Sequence, residues 1–206
     1  MKYRVLTISR EYGCGGSAVA QQAGDALGWT VLDSVFIEAI AGRSHVDPAV
    51  AKRYDERADS WLSRISRKAL WHGTFEAVST VGETEVFDAH TMAVLTRNII
   101  LESAQAGNCV IVGRGSQCAL AGRGDTFHVF VHAPRSTRLP HLDEKHPKRN
   151  ALEHAFDSVD RNWAEYVHLH YQRDVYVRHL YDLMVNTRIG IDRATHVILA
   201  AMGFGA

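Results

Sequence analysis

The segment from Leu6 to Ala20, LTISREYGCGGSAVA, constrains this chain more than any other, because a strand signal, a glycine cluster and a helical pattern follow one another directly. Tyr3 to Ile8 alternates β-branched and apolar residues, the mark of a buried strand. Ser17 to Leu27 repeats apolar residues at helical spacing and stops at Gly28, a residue suited to the left-handed turn that ends helices. Between them Gly13, Gly15 and Gly16 let the backbone turn sharply and approach an anion closely. The amides of such a turn face inward beside the positive end of the helix, where a phosphate meets several N–H donors. Two readings stand at this level, a phosphate loop and a plain tight turn. Set against GxxxxGK[ST], Arg10 takes the first glycine position and Gly15 matches the second. Gly16 replaces the lysine, and Ser17 keeps the hydroxyl on the magnesium side.

Four later segments repeat the strand signature: Trp29 to Asp33, Cys109 to Gly113, Thr126 to Ala133 and Asp182 to Thr187. Helical patterns separate them at Val35 to Ala41, Met92 to Ala106, Arg135 to Lys145, Asn150 to Tyr171 and Asp192 to Ala201. Strands alternating with helices imply an α/β chain with a parallel sheet covered on both faces. Ligands in such sheets lie beyond the carboxyl ends of the strands. With 206 residues, no internal repeat and no linker, residues 1–206 read as one domain. Residues 47–85 are more polar and break the rhythm, as an inserted acceptor-binding or dimer-forming arm does. The charged stretch HLDEKHPKR, from His141 to Arg149, reads either as a lid or as a solvated loop.

Composition removes several classes of function. Lys+Arg and Asp+Glu both number 23, so there is no basic field of the kind that drives nucleic-acid binding. No run approaches the ~20 apolar residues of a membrane helix, and the N-terminal apolar run is too short for a signal peptide core. Cys14, Cys109 and Cys118 are odd in number and lack metal-ligand spacing, which argues for a reducing, cytoplasmic setting. Among the histidines, His168 and His170 fall on different helix faces. His128 and His132 share a strand face but stand roughly 13 Å apart, too far for one ion.

Three ordered motifs then carry a resemblance: LTISREYGCGG from Leu6, VIVGRG from Val110 and YDLMVNT from Tyr181. Together they resemble the cytidylate kinase-like family, a branch of the nucleoside monophosphate kinases, over nearly the whole chain. The resemblance implies a P-loop kinase fold: a five-stranded parallel sheet, helices on both faces and a small lid within residues 139–165. It also implies ATP and Mg²⁺ as cofactors, nucleotide substrates and a possible homodimer, with no nucleic-acid or membrane partner.

The site residues follow from the motifs they match. Tyr12, Gly13, Cys14, Gly15, Gly16 and Ser17 are expected to hold the ATP phosphates, with Ser17 reaching Mg²⁺ through the nucleotide. Asp33 and Ser34 match the turn at which cytidylate kinases begin their monophosphate-binding region. Arg114 matches the arginine that faces the acceptor, although Gly115 stands where those enzymes have an aspartate. Arg138 and Arg161 match the start and the body of the lid. Phosphoryl transfer asks a protein mainly to align two groups and neutralise charge on the phosphate oxygens. Arg10, Arg138 and Arg161 are therefore the expected catalytic cations in a loop that lacks its lysine.

Each of these residues also has a plainer role. Arg10 and Glu11 suit a surface ion pair, Asp33 and Ser34 a helix cap, and Asn186 with Thr187 a strand end. Cys14 is either a small residue in a tight turn or a thiol whose pKa the helix end lowers. Three functions remain open: a nucleoside monophosphate kinase, a nucleotide-binding module of the same fold without turnover, and a kinase for another small acceptor.

Overall fold

The computed structural model describes residues 2–33, 89–138 and 149–204. The expected helix over Val35 to Ala41, Ser34, the polar arm 47–85 and the first part of the lid lie outside them. In chain order the described elements are β1 (Val5–Arg10), α1 (Gly16–Leu27), β2 (Thr30–Leu32), α2 (Ala89–Ala106) and β3 (Cys109–Val112). There follow α3 (Ser116–Ala119), β4 (Thr126–His132), α4 (Arg149–Tyr171), β5 (Leu183–Asn186) and α5 (Ile191–Ala201).

The five strands form one sheet in the order β2-β3-β1-β4-β5, and every pairing is parallel. Successive residues of a strand point to opposite faces, and the packing follows that alternation. Leu6 and Ile8 of β1, with Val110, Val112, Val129 and Val131, meet Val19, Ala20 and Ala23 of α1 and Ala194 and Ile198 of α5. On the other face Val5, Cys109 and Ile111 meet Ile100 and Ala104 of α2, together with Leu120. All of these side chains are buried, and each large aliphatic one stabilises the fold by about 1.5–3 kcal/mol. Helices thus cover both faces, as parallel connections require.

The strand signals hold to within a residue or two, except that β1 runs on through Ser9 and Arg10. Those two residues pair with Phe130 and Val131 of β4, so backbone pairing extends the strand past its apolar stretch. This carries Arg10 to the carboxyl edge of the sheet, where the glycine loop begins. Gly28, at φ +66, closes α1 as expected. Among the described residues no helix is long and apolar enough to cross a membrane.

Candidate active site

Residues 11–15 carry the chain from β1 into α1, and Gly13 and Gly15 take φ values of 77° and 82°. Only glycine adopts such angles without steric cost. Gly15 stands at the N-cap of α1, where no side chain caps the helix and the first turn holds no acidic residue. The opening amides and the positive helix end are therefore left to the loop. Ser17 sits in that first turn and is exposed.

The loop is braced from behind. The Thr187 hydroxyl donates to the Cys14 carbonyl at 2.6 Å and lies 3.3 Å from the His132 carbonyl. Asn186 accepts from the Arg188 amide and so terminates β5. The sequence reading of the NT pair as a strand end is therefore incomplete, because its threonine also fixes the loop. Cys14 itself is buried, and that burial pushes its thiol up to about 11, outweighing the hydrogen bond from Gly16 that acts in the other direction. The lowered thiol pKa considered for a helix end is thus corrected: desolvation prevails.

The arginines divide between two adjoining cavities. Arg138 is 8 % exposed and fully engaged. Its Nη2 lies 2.7 Å from Glu11 Oε2, its Nη1 2.8 Å from Asp160 Oδ2, and its Nε donates to the Ala133 carbonyl at 2.7 Å. Arg138, expected to close over a transferring group, here ties the glycine loop, the end of β4 and α4 together. Glu11 accordingly pairs with Arg138 and not with Arg10. Arg161 is exposed and lines a cavity of about 410 Å³ with Glu11, Arg135, Arg138, Asp157 and Asp160. Formal charges balance there.

The second cavity, about 370 Å³, opens at the carboxyl ends of β1 and β3 and is lined by Arg10, Tyr12, Gly113, Arg114, Asp160, Trp163 and Tyr166, among others. Two arginines against one carboxylate make it cationic, and three aromatic rings flank it. Gly113, Arg114 and Gly115 all have left-handed backbones, at φ 73°, 56° and 69°. Such a conformation at a non-glycine residue costs on the order of 1 kcal/mol or more. It brings the Arg114 guanidinium to 5.7 Å from the Tyr166 ring centre. At Gly115 an added Cβ would stand 2.3 Å from Tyr171 Cε2, so the aspartate found there in cytidylate kinases has no room. Trp163 stacks on Phe130 with ring centres 6.0 Å apart.

Arg10, Tyr12 and Arg114 are thus brought together beside the loop 13–17. Asp33 lies outside the cavity lining, but its charge acts on Arg10. Burial lowers the Arg10 pKa from its ordinary value, partly offset by Cys14 and Asp33. Sequence reasoning missed Glu11 as the partner of Arg138 and missed Asp160 as the wall shared by both cavities. The only available signal for Asp160 was its place in DRNWAEYV, one residue before Arg161.

The sequence matches the family model of the cytidylate kinase-like family over residues 5–189. Searching curated proteins by sequence gives no match. Among solved structures the chain is similar to an uncharacterized protein from Eubacterium ventriosum ATCC 27560, with 15% identity and a TM-score of 0.69, over 97% of this chain and 98% of that one. It is similar to shikimate kinase from Bacteroides thetaiotaomicron, with 13% identity and a TM-score of 0.51, over 97% and 98% of the two chains. It is also similar to a gluconokinase from Sinorhizobium meliloti 1021, with 12% identity and a TM-score of 0.51, over 98% and 94%. These likenesses identify the five-stranded parallel α/β sheet as a P-loop kinase fold. With a family match covering most of its length, the chain belongs to the cytidylate kinase-like family.

Proposed function

We propose that this protein transfers the terminal phosphoryl group of ATP to a nucleoside monophosphate, with CMP or dCMP as the leading acceptors. The observation that carries the reading is the cationic, aromatic-flanked cavity holding Arg10 and Arg114 directly beside an uncapped, glycine-lined helix end. The loop from Tyr12 to Ser17 offers amides to the ATP phosphates, and the exposed Ser17 hydroxyl is placed to reach a magnesium ion that the nucleotide brings. Among the described residues no three His, Cys, Asp or Glu side chains gather into a metal site of their own. Arg114 and the rings of Trp163 and Tyr166 suit an anionic acceptor with a flat base. Arg161 faces the adjoining cavity, from which it can act on the phosphates once the lid closes.

A second reading, a kinase for another small acceptor, is favoured by one observation. Tyr171 fills the space that an aspartate at position 115 needs, so cytosine recognition of the cytidylate kinase type has no carboxylate at this step. Two of the fold relatives are, by name, a shikimate kinase and a gluconokinase. ADP formation from ATP and Mg²⁺, with CMP, dCMP, UMP, AMP, GMP, shikimate and gluconate offered singly, tests both. Turnover with CMP or dCMP supports the first reading, and turnover with a non-nucleotide supports the second. ATP binding with no acceptor turned over leaves a nucleotide-binding module and overturns both.

A further inference from the structure

Gly16 stands where GxxxxGK[ST] has its lysine, yet nothing in its backbone calls for glycine, because among the loop glycines it alone has no left-handed angle. The obstacle is space. An added Cβ at Gly16 would lie 2.8 Å from Arg10 Cβ and 2.9 Å from Arg10 Cδ. Contacts that close to the root of a neighbouring side chain are not relieved by moving its far end. The stem of Arg10 therefore occupies the ground over the first residue of α1 from which a lysine would rise.

The far end of Arg10 is located by a second glycine. A Cβ on Gly113, at the end of β3, would lie 2.9 Å from Arg10 Nη1. Arg10 thus runs from the last residue of β1, across the start of α1, to the carboxyl end of β3. Its guanidinium there lines the cavity beside the glycine loop. Among the described residues it makes no hydrogen bond and no ion pair, whereas Arg138 is tied to Glu11 and Asp160. A desolvated cation that faces a cavity, with Asp33 acting on it only through space and no direct ion pair among the described residues, suits an anion that comes and goes.

We infer that Arg10 is the phosphate-binding cation that replaces the missing lysine, reaching the outer phosphates of the nucleotide from the strand end instead of from the helix. The inference rests on the kinase reading above and deepens it. Arg10 neither takes nor gives a proton. The bond from the transferred phosphorus to the β-phosphate oxygen breaks, that oxygen keeps the electron pair, and a new bond forms to an acceptor oxygen. The guanidinium neutralises charge on the surrounding oxygens, with the planar fork that suits phosphate better than an ammonium does. Positions 10 and 16 then form one unit, because the stem of Arg10 leaves no room for a side chain at 16, while Gly113 is held as glycine by its φ of +73°.

Four variants test this: Arg10→Met, which keeps the stem and removes the charge, Arg10→Gly, which removes the blocking Cβ as well, Gly16→Lys, and the double variant Arg10→Gly/Gly16→Lys. The readouts are Mg·ATP affinity by calorimetry, thermal melting, and ADP formation. Arg10→Met should melt like wild type, bind Mg·ATP at least tenfold more weakly, and lose turnover on the ~10³ scale of a phosphate-neutralising arginine. Gly16→Lys should melt well below wild type. The double variant should melt no lower than Arg10→Gly and regain most of the affinity, because with the Cβ at position 10 gone the lysine has both the space and the role. Wild-type affinity in Arg10→Met, or a double variant that binds Mg·ATP no better than Arg10→Gly, overturns the inference. Wild-type protein that binds Mg·ATP but phosphorylates no acceptor removes the kinase reading alone, since the affinity and melting comparisons still decide the role of Arg10. Wild-type protein without Mg·ATP affinity removes both.

Discussion

The carboxylate of Asp160 accepts a 2.7 Å hydrogen bond from the backbone N–H of Tyr12, joining the middle of α4 to the glycine loop across 148 residues of sequence. Its second oxygen lies 2.8 Å from Arg138. The helix that carries the expected lid arginine is therefore anchored on the loop it would close over. Asp160→Ala removes one partner of a nearly buried cation and orphans a loop amide. Between the cost of a lost charged hydrogen bond and that of a broken buried pair, about 2–3 kcal/mol of stability should go. For a chain of this length that is a fall of roughly 4–12 °C in melting temperature. Asp160→Asn keeps an acceptor for Tyr12 and should fall less. Equal melting of all three proteins would show that α4 is held by its apolar face alone.

Gly115 is held as glycine by its φ of +69° and by Tyr171. Gly115→Asp restores the residue of cytidylate kinases proper, yet it should destabilise the fold by about 2 kcal/mol or more, from backbone strain and overlap together. Removing the ring should relieve part of that cost. In urea denaturation, Gly115→Asp/Tyr171→Ala should be less destabilised than the sum of its single variants by about 1 kcal/mol. Additive losses would mean that the strain lies in the backbone and not in the contact with Tyr171.

Thr187 directly follows β5 and holds the Cys14 carbonyl from behind the loop. Thr187→Val keeps the shape of the side chain and removes its only donor, at a cost of about 1 kcal/mol. Since the carbonyl belongs to the loop, Mg·ATP affinity should fall together with melting temperature. A fall in melting alone would limit Thr187 to capping the strand.

The sheet was legible because each strand declares itself locally. Cys109–Val112 and Thr126–His132 are short apolar runs bounded by turn residues, and glycine closes the helix before β2. The four-residue helix Ser116–Ala119 was not, being shorter than two turns of any periodic pattern. In the site, the glycine loop could be read from spacing, but the fate of each arginine could not. Arg138 and Arg161 look alike in sequence. One meets Glu11, 127 positions away, while the other stays exposed. Such pairings depend on how α4 crosses the sheet edge, and no local pattern encodes that. The same holds for Gly16, whose meaning lies in the stem of Arg10, a contact visible only once β1 extends past its apolar residues.

The Cys14 thiol supplies a pH test of the loop's burial. In the unfolded chain it loses its proton near the ordinary thiol value of 9.0, and in the folded chain it keeps it to about 11. Above pH 9 the unfolded state therefore binds fewer protons than the folded one, so stability falls as pH rises. The contribution is complete below pH 9, declines between pH 9 and 11, and amounts to about 2–3 kcal/mol in full. Cys109, pushed up to about 12 by burial, acts in the same direction. Melting temperature should thus be flat around pH 8 and drop steeply above pH 9, and the drop should be shallower in Cys14→Ala. At pH 8 the folded protein should also react with iodoacetamide at the half-buried Cys118 before Cys14. Alkylation of Cys14 first, or an unchanged slope in Cys14→Ala, would mean that the loop opens readily to solvent. The glycine loop braced by Thr187 would then be a transient arrangement and not the resting one.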